Sequence, residues 1–200
     1  MKRLTLIIVL FNSCIAIAQT DPVDAREEVL AFQKELNQEY KDRDKSPLEK
    51  KALKKFKGLP FFPIDLDYRV PAKLVVTDGT PFIGMKTTTS RLAFDRVYGY
   101  LEFELKGQAF RVPVYQSRDL MKVAEYEDYL FFPFTDLTNG RQTYAGGRYI
   151  DLRIPADGEN IIVDFNKAYN PYCAYSARFS CPLVPAENQL DVEIPVGVMY

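Results

Sequence analysis

The sequence predicts a mainly β domain, an antiparallel barrel or sandwich carrying two N-terminal α-helices, α+β overall. Two observations predict it. From Tyr68 onward, apolar residues recur at every second position in short runs separated by turn residues, the pattern of strands with one buried face. Before that, between Asp24 and Lys41, apolar residues recur at three- and four-residue steps, the pattern of an amphipathic helix. No helical pattern interrupts the strand runs, which favours an antiparallel barrel or sandwich.

Residues 1–18 read as a cleaved secretory signal. Lys2 and Arg3 precede an apolar run from Leu4 to Phe11, and Ala16-Ile17-Ala18 places small residues where signal peptidase requires them. Asn12 and Ser13 interrupt the stretch, which is shorter than the roughly 20 residues that span a bilayer. Cys14 offers an alternative, a lipid anchor, but of Phe11-Asn12-Ser13 before it only Ser13 suits lipoprotein processing. The expected location is therefore periplasmic or extracellular. Loss of Lys2 and Arg3 takes the net charge from −1 to −3. A mildly acidic chain is a poor partner for nucleic acid, which recruits basic surfaces. No transmembrane segment is expected in the mature chain.

Residues 19–57 form the expected helical segment and 58–200 the β-rich domain. In the first helix, Val29, Phe32, Leu36 and Tyr40 share one face. Ser46-Pro47-Leu48-Glu49 is a capping box for a second helix with Leu48, Ala52 and Phe56 on one face and Gly58 at its end. Residues 41–57 carry eight basic and three acidic side chains. A mixed-sign run of this kind is read as a solvated helix face rather than a lipid contact.

In the β-rich part, Tyr68, Val70, Ala72, Leu74 and Val76 alternate with mostly polar partners. Leu101, Phe103 and Leu105, then Lys106-Gly107-Gln108, then Phe110, Val112 and Val114 predict a hairpin. A second hairpin is predicted from Ile150–Ile154, Asp157-Gly158 and Ile161–Phe165. The predicted core includes Val70, Leu74, Leu101, Phe103, Phe110, Val112, Leu152, Ile154, Ile162 and Phe165. The last 30 residues, with Pro171, Pro182 and Pro185, read as an ordered coil wrapping the sheet.

The chain has no histidine. That excludes Ser-His-Asp and Cys-His catalysis and the usual imidazole metal sites. No phosphate-binding glycine motif is present, and no metal or cofactor is expected. With Cys14 removed, Cys173 and Cys181 remain; an even count in an oxidising compartment predicts a disulfide between them.

Two polar-aromatic stretches stand out. One runs from Phe61-Phe62-Pro63 to Val70 and has an echo at Phe131-Phe132-Pro133, which continues to Thr143-Tyr144 and Gly147-Arg148-Tyr149. The other holds Asp164-Phe165-Asn166, Tyr169-Asn170-Pro171-Tyr172-Cys173-Ala174-Tyr175 and Cys181-Pro182-Leu183, ending on Glu187-Asn188. From about Phe56 to the C-terminus the chain resembles the bacterial family known as domain of unknown function 1684. Val184 departs from that pattern where proline is expected. The resemblance implies no reaction, but it directs attention to these positions.

The stretch 164–188 concentrates carboxylates, amides and phenols. Tyr144, Arg148, Asp164, Asn166, Tyr169, Asn170, Tyr175, Glu187 and Asn188 are therefore the candidate ligand-binding residues, suited to a small polar ligand. Arg148 is expected to pair with Asp164 or Glu187. A purely structural role stands beside this reading, because Asn and Asp near proline often bind their own backbone. Three functions follow: a small-ligand binding module, a histidine-free hydrolase with Asp164 and Glu187 as paired carboxylates and Tyr144 as acid, or an envelope interaction protein without a small-molecule site. No catalytic residue and no oligomeric state follow from the sequence. Protein from a native host should begin at Gln19, as read by intact mass; a lipid-modified Cys14 at the N-terminus would overturn export as a free chain.

Overall fold

The computed structural model describes residues 21–200. The expected signal segment, residues 1–18, and the alternative lipid site at Cys14 lie outside the described residues. The described chain holds seven strands: β1 (Arg69–Val76), β2 (Ile83–Lys86), β3 (Leu92–Leu105), β4 (Gln108–Ser117), β5 (Tyr129–Phe134), β6 (Arg148–Arg153) and β7 (Asn160–Asp164). They form one sheet ordered β6-β5-β4-β3-β1-β7, with β2 alongside β3. All pairings are antiparallel, and the sheet curls into a nearly closed barrel. The mainly β, α+β expectation therefore holds.

The hairpin predicted around Gly107 is β3–β4, with Phe103 opposite Phe110 and Leu101 opposite Val112. The second predicted hairpin is corrected. β6 and β7 are consecutive in sequence, but they are the two edges of the sheet, and β7 pairs with β1 instead. A short connection between opposite edges obliges the sheet to curl. One bridge beyond β7 draws the edges together: Tyr149 N–H donates to the Tyr169 carbonyl at 2.9 Å, and the reciprocal bond is 3.0 Å. The long strand β3 bends at an irregularity between Val97 and Gly99. Gly99 is required there, since a Cβ would lie 2.5 Å from the Val75 carbonyl oxygen.

Side chains fill the barrel. Val70, Leu74, Leu101, Phe103, Val112, Leu130, Phe132, Phe134, Ile150, Leu152, Val163 and Phe165 form one buried cluster, with Phe110 and Ile154 partly buried against it. Ile162 is the exception to the predicted core. It is 37% exposed, whereas its neighbours Ile161 and Val163 point inward opposite Ala72 and Val70. Three consecutive apolar residues leave the phase of the alternation open, and pairing with β1 decides it.

Helix α1 (Pro22–Lys41) starts where Asp21 accepts the Val23 N–H at 2.9 Å, with proline in the first turn. It buries Ala25, Val29, Leu36 and Tyr40. The second helix is shorter than predicted: α2 spans only Lys50–Leu53. Ser46 does not cap it. Its hydroxyl donates back to the Tyr40 carbonyl at 2.7 Å, and the Glu49 carboxylate accepts from Ser176. The Ser46 oxygen accepts the Leu48 N–H at 3.2 Å instead of the Glu49 N–H, and with the Glu49 carboxylate engaged elsewhere the helix begins later. Leu48 and Phe56 still pack beside Leu36 and Tyr40. Among the described residues, no helix is long and apolar enough to cross a membrane.

Arg148 is fully buried at one end of the barrel. Its guanidinium donates to Asp136 at 2.8 Å, to the Ile194 carbonyl at 2.8 Å and to the Val196 carbonyl. Asp136 also accepts from the Thr138 N–H at 2.8 Å, the Thr138 hydroxyl and the Ile194 N–H. This corrects the expected pairing of Arg148 with Asp164 or Glu187. Asp164 is held by Arg69 at 2.9 Å, and Glu187 is exposed. Alternation along β6 points Arg148 inward, and the turn after β5 carries Asp136 to it. Arg148→Ala should destabilise the protein by about 3–5 kcal/mol in denaturant unfolding, because it strands a buried carboxylate. A loss under about 1 kcal/mol would show that the pair holds nothing together.

Candidate functional site

The same alternation that buries Arg148, Ile150 and Leu152 turns Tyr149, Asp151 and Arg153 to the outer face of β6. Opposite them on β5, Pro133 pairs with Tyr149, Phe131 with Asp151 and Tyr129 with Arg153. This outer face is aromatic, so it needs a cover. The coil from Tyr169 to Pro182 supplies one side and α1 the other. Between these layers lies a cavity of about 630 Å³, lined among others by Phe32, Glu35, Leu36 and Glu39 from α1, Tyr129, Tyr149 and Asp151 from the sheet, and Tyr169, Tyr172 and Phe179 from the coil. That volume lies within the range of small-molecule sites.

Asp151 is the polar centre of the cavity. The phenols of Tyr129 and Tyr169 both donate to its Oδ1 at 2.7 Å. Among the described residues, no donor reaches Oδ2. The side chain keeps solvent access through the cavity mouth, but protein crowds it on its other sides. That crowding removes solvation and raises its pKa, against the opposing hydrogen bonds of the two phenols and the charge of Arg153. The open mouth limits the size of the effect. Glu39 accepts from the Tyr172 phenol, and its pKa is raised first by burial and further by Asp151, with Lys45 opposing. The Tyr129 and Tyr169 phenols are pushed well above their ordinary range, chiefly by burial and then by the Asp151 charge.

Of the nine residues singled out from the sequence, Tyr169 alone lines this cavity. Asp164 accepts the Asn166 N–H and amide at 3.0 and 2.9 Å, and Asn166 also clamps both backbone polar groups of Asp65 at 2.9 Å. Asn170 donates to the Tyr175 phenol at 3.0 Å and the Met199 carbonyl at 3.1 Å. Asn188 donates to the Pro113 carbonyl at 2.9 Å and accepts from Tyr115 at 3.0 Å. Tyr144 packs edge-on against Tyr200, and Tyr175 against Tyr40. Asp164 and Asn188 thus bond to the sheet, while Asn166, Asn170, Tyr144 and Tyr175 contact the segment before β1, the coil itself and α1.

Asp151, Glu39, Tyr129, Tyr149 and Tyr172 were not among the candidates. The available signal was Asp151 inside a strand, two positions after Tyr149, where simple alternation assigns an aspartate to solvent. Glu39 lies 112 positions earlier in the sequence, and no local pattern joins it to Asp151.

The expected Cys173–Cys181 disulfide is not formed in this structure; both are free thiols. They are neighbours: the Cys173 N–H donates to the Cys181 sulfur at 3.2 Å. Burial pushes the Cys181 thiol up to about 12. Among the described residues, no group of three or more histidine, cysteine or acidic side chains is placed to hold a metal ion.

The fold and the cavity define a β-rich domain with a ligand-sized pocket on the outside of its barrel. The family model for "Protein of unknown function (DUF1684)" matches residues 54–199. The chain belongs to that family. A solution NMR structure of an uncharacterized protein from Haloarcula marismortui is similar to it, with 33% identity, a TM-score of 0.71, and alignment over 90% of this chain and 96% of that one. Comparison with curated proteins finds no match.

The raised pKa of Asp151 has a consequence for stability. The folded state binds that proton more tightly than the unfolded chain. The resulting stabilisation is complete below about pH 4, near the unfolded pKa of aspartate, and is lost as pH rises through the higher folded-state value. Asp151→Asn keeps an oxygen for both phenols without the charge. Thermal melts across pH should show this variant more stable than the wild type at pH 7, with the gap closing towards pH 4. Equal melting points at pH 7 would show that the cavity imposes no penalty on the charge.

Proposed function

We propose that the protein is an exported binding module that takes a small organic molecule into the cavity between α1, the outer face of β5 and β6, and the coil at 169–182. Export rests on the signal-like segment at residues 1–18. It would place the neighbouring thiols Cys173 and Cys181 in an oxidising compartment. The observation that carries the binding reading is Asp151. It is a carboxylate with one oxygen held by two phenols and the other without a protein donor, set among aromatic rings. The buried Asp136 and Asp164 are each paired with an arginine, whereas Asp151, open to the cavity mouth, has no ion-pair partner among the described residues. A carboxylate without an ion pair facing a cavity of this size suits a ligand. The hydrolase built on Asp164 and Glu187 is not carried by the geometry, since neither residue lines the cavity.

The test is a titration of ¹⁵N-labelled protein with small cationic, neutral and anionic organic probes, each about the size of a pentyl chain. At least one class should shift the amides of Tyr149–Asp151 and Tyr169–Tyr172 saturably. The effect should vanish in Leu36→Trp, which fills the cavity from α1. Silence from every probe, or shifts that persist in Leu36→Trp, would sink the reading.

A further inference from the structure

We infer that the ligand of this cavity is an organic ammonium ion, its charge met by Asp151 and Glu39 and its carbon body by the tyrosine rings; the inference rests on the binding reading above. Three features of the wall support it. The first is its hydrogen-bond polarity. Five tyrosines line the cavity: Tyr126, Tyr129, Tyr149, Tyr169 and Tyr172. A phenol has one hydrogen to donate. Four of the five already donate it to protein oxygens: Tyr129 and Tyr169 to Asp151, Tyr149 to the Pro182 carbonyl and Tyr172 to Glu39. The wall therefore offers mostly acceptors. A sugar or a carboxylate needs donors from the protein, whereas an ammonium group brings only donors or only positive charge.

The second feature is charge. Glu35, Glu39 and Asp151 line the cavity, and among the described residues no lysine or arginine does. Two cations act on the carboxylates from outside the wall. Arg153 is paired with Asp128 at 2.6 Å, and Lys45 reaches Glu39 only through its field. Glu39 is half-buried and Asp151 is crowded on its protein side, so a cation entering between them would offset the desolvation that raises both carboxylates.

The third feature is the rings. Aromatic faces attract a desolvated cation, and aromatic cages recognise ammonium groups for this reason. Tyr126 and Tyr129 already show that attraction, with the Arg153 guanidinium 5.6 and 6.0 Å from their centroids. Among the described residues, no lysine or arginine forms an ion pair with Asp151 or Glu39.

The experiment compares n-butylammonium and choline with two neutral isosteres, 1-butanol and 3,3-dimethylbutan-1-ol, and with pentanoate, following the amides around Asp151. The ammonium probes should bind at least about tenfold more tightly than the alcohols, a difference of about 1.4 kcal/mol, and pentanoate should not bind. Asp151→Asn and Glu39→Gln should each reduce ammonium affinity about tenfold or more while the spectrum stays that of a folded protein. Should one variant fail to fold, the other decides. Alcohols or pentanoate binding as tightly as the ammonium probes, or unchanged ammonium affinity in the folded variants, would overturn the ammonium assignment and leave the cavity a binding site. No saturable shift from any of the probes would overturn both.

Discussion

The buried ion pair of Arg148 and Asp136 is the constraint on which the rest of the molecule depends. Both side chains are cut off from water, 2.8 Å apart. Such a pair is tolerable only if its remaining donors and acceptors are also met. The carbonyls of Ile194 and Val196 and the N–H of Ile194 meet most of them. The C-terminal segment is therefore tied into the barrel end by ionic hydrogen bonds as well as by the burial of Ile194 and Val196. Gly147, just before the arginine, approaches so closely that a Cβ would lie 2.6 Å from the Phe134 carbonyl oxygen, and its φ of +89° favours glycine. Gly-Arg-Tyr is thus a structural motif: the glycine lets the chain in, the arginine locks the coil, and the tyrosine is left pointing outward.

From that lock the site follows by alternation. With Arg148 inside, Tyr149 and Asp151 must face out, and the outer face of β5 and β6 becomes apolar enough to need covering. The bridge between Tyr149 and Tyr169 lays the coil against that face and sets the Tyr169 phenol beside Asp151. Helix α1 completes the cover through Leu36 and Glu39. The two aspartates contrast. Asp136 has its charge matched and serves architecture, whereas Asp151 has only phenol partners and sits above its ordinary pKa. Natural proteins tolerate local destabilisation of this kind mainly where function requires it.

Several parts of this molecule were legible in local pattern. Period-two alternation located β1, β3, β4 and β6, and the 3.6-residue period located α1 to within two residues at its start. Where the pattern lost contrast, the reading failed. Ile161-Ile162-Val163 is apolar throughout, so its inward face was undetermined until β7 paired with β1. The capping box at Ser46 had the right residue types, but its serine closes a local turn with Leu48 and its glutamate is taken by Ser176.

Composition and local order alone determined the mainly β class, the helical start, the absence of imidazole chemistry and the polar-aromatic segments. Only the tertiary structure decided what those segments do. Arg148 could pair with any of several carboxylates, and a sequence carries no distance. The turn after β5 brought Asp136 to it, and the pairing of β7 with β1 set Asp164 opposite Arg69. The cavity was equally invisible, because Glu39, Asp151 and Tyr169 belong to three elements that meet only when the helix and the coil close over one face of the barrel. Backbone hydrogen bonding and side-chain period are local and leave a trace in the sequence. A site made by the packing of distant elements depends on relative placement, which burial and hydrogen bonding across the whole chain determine together.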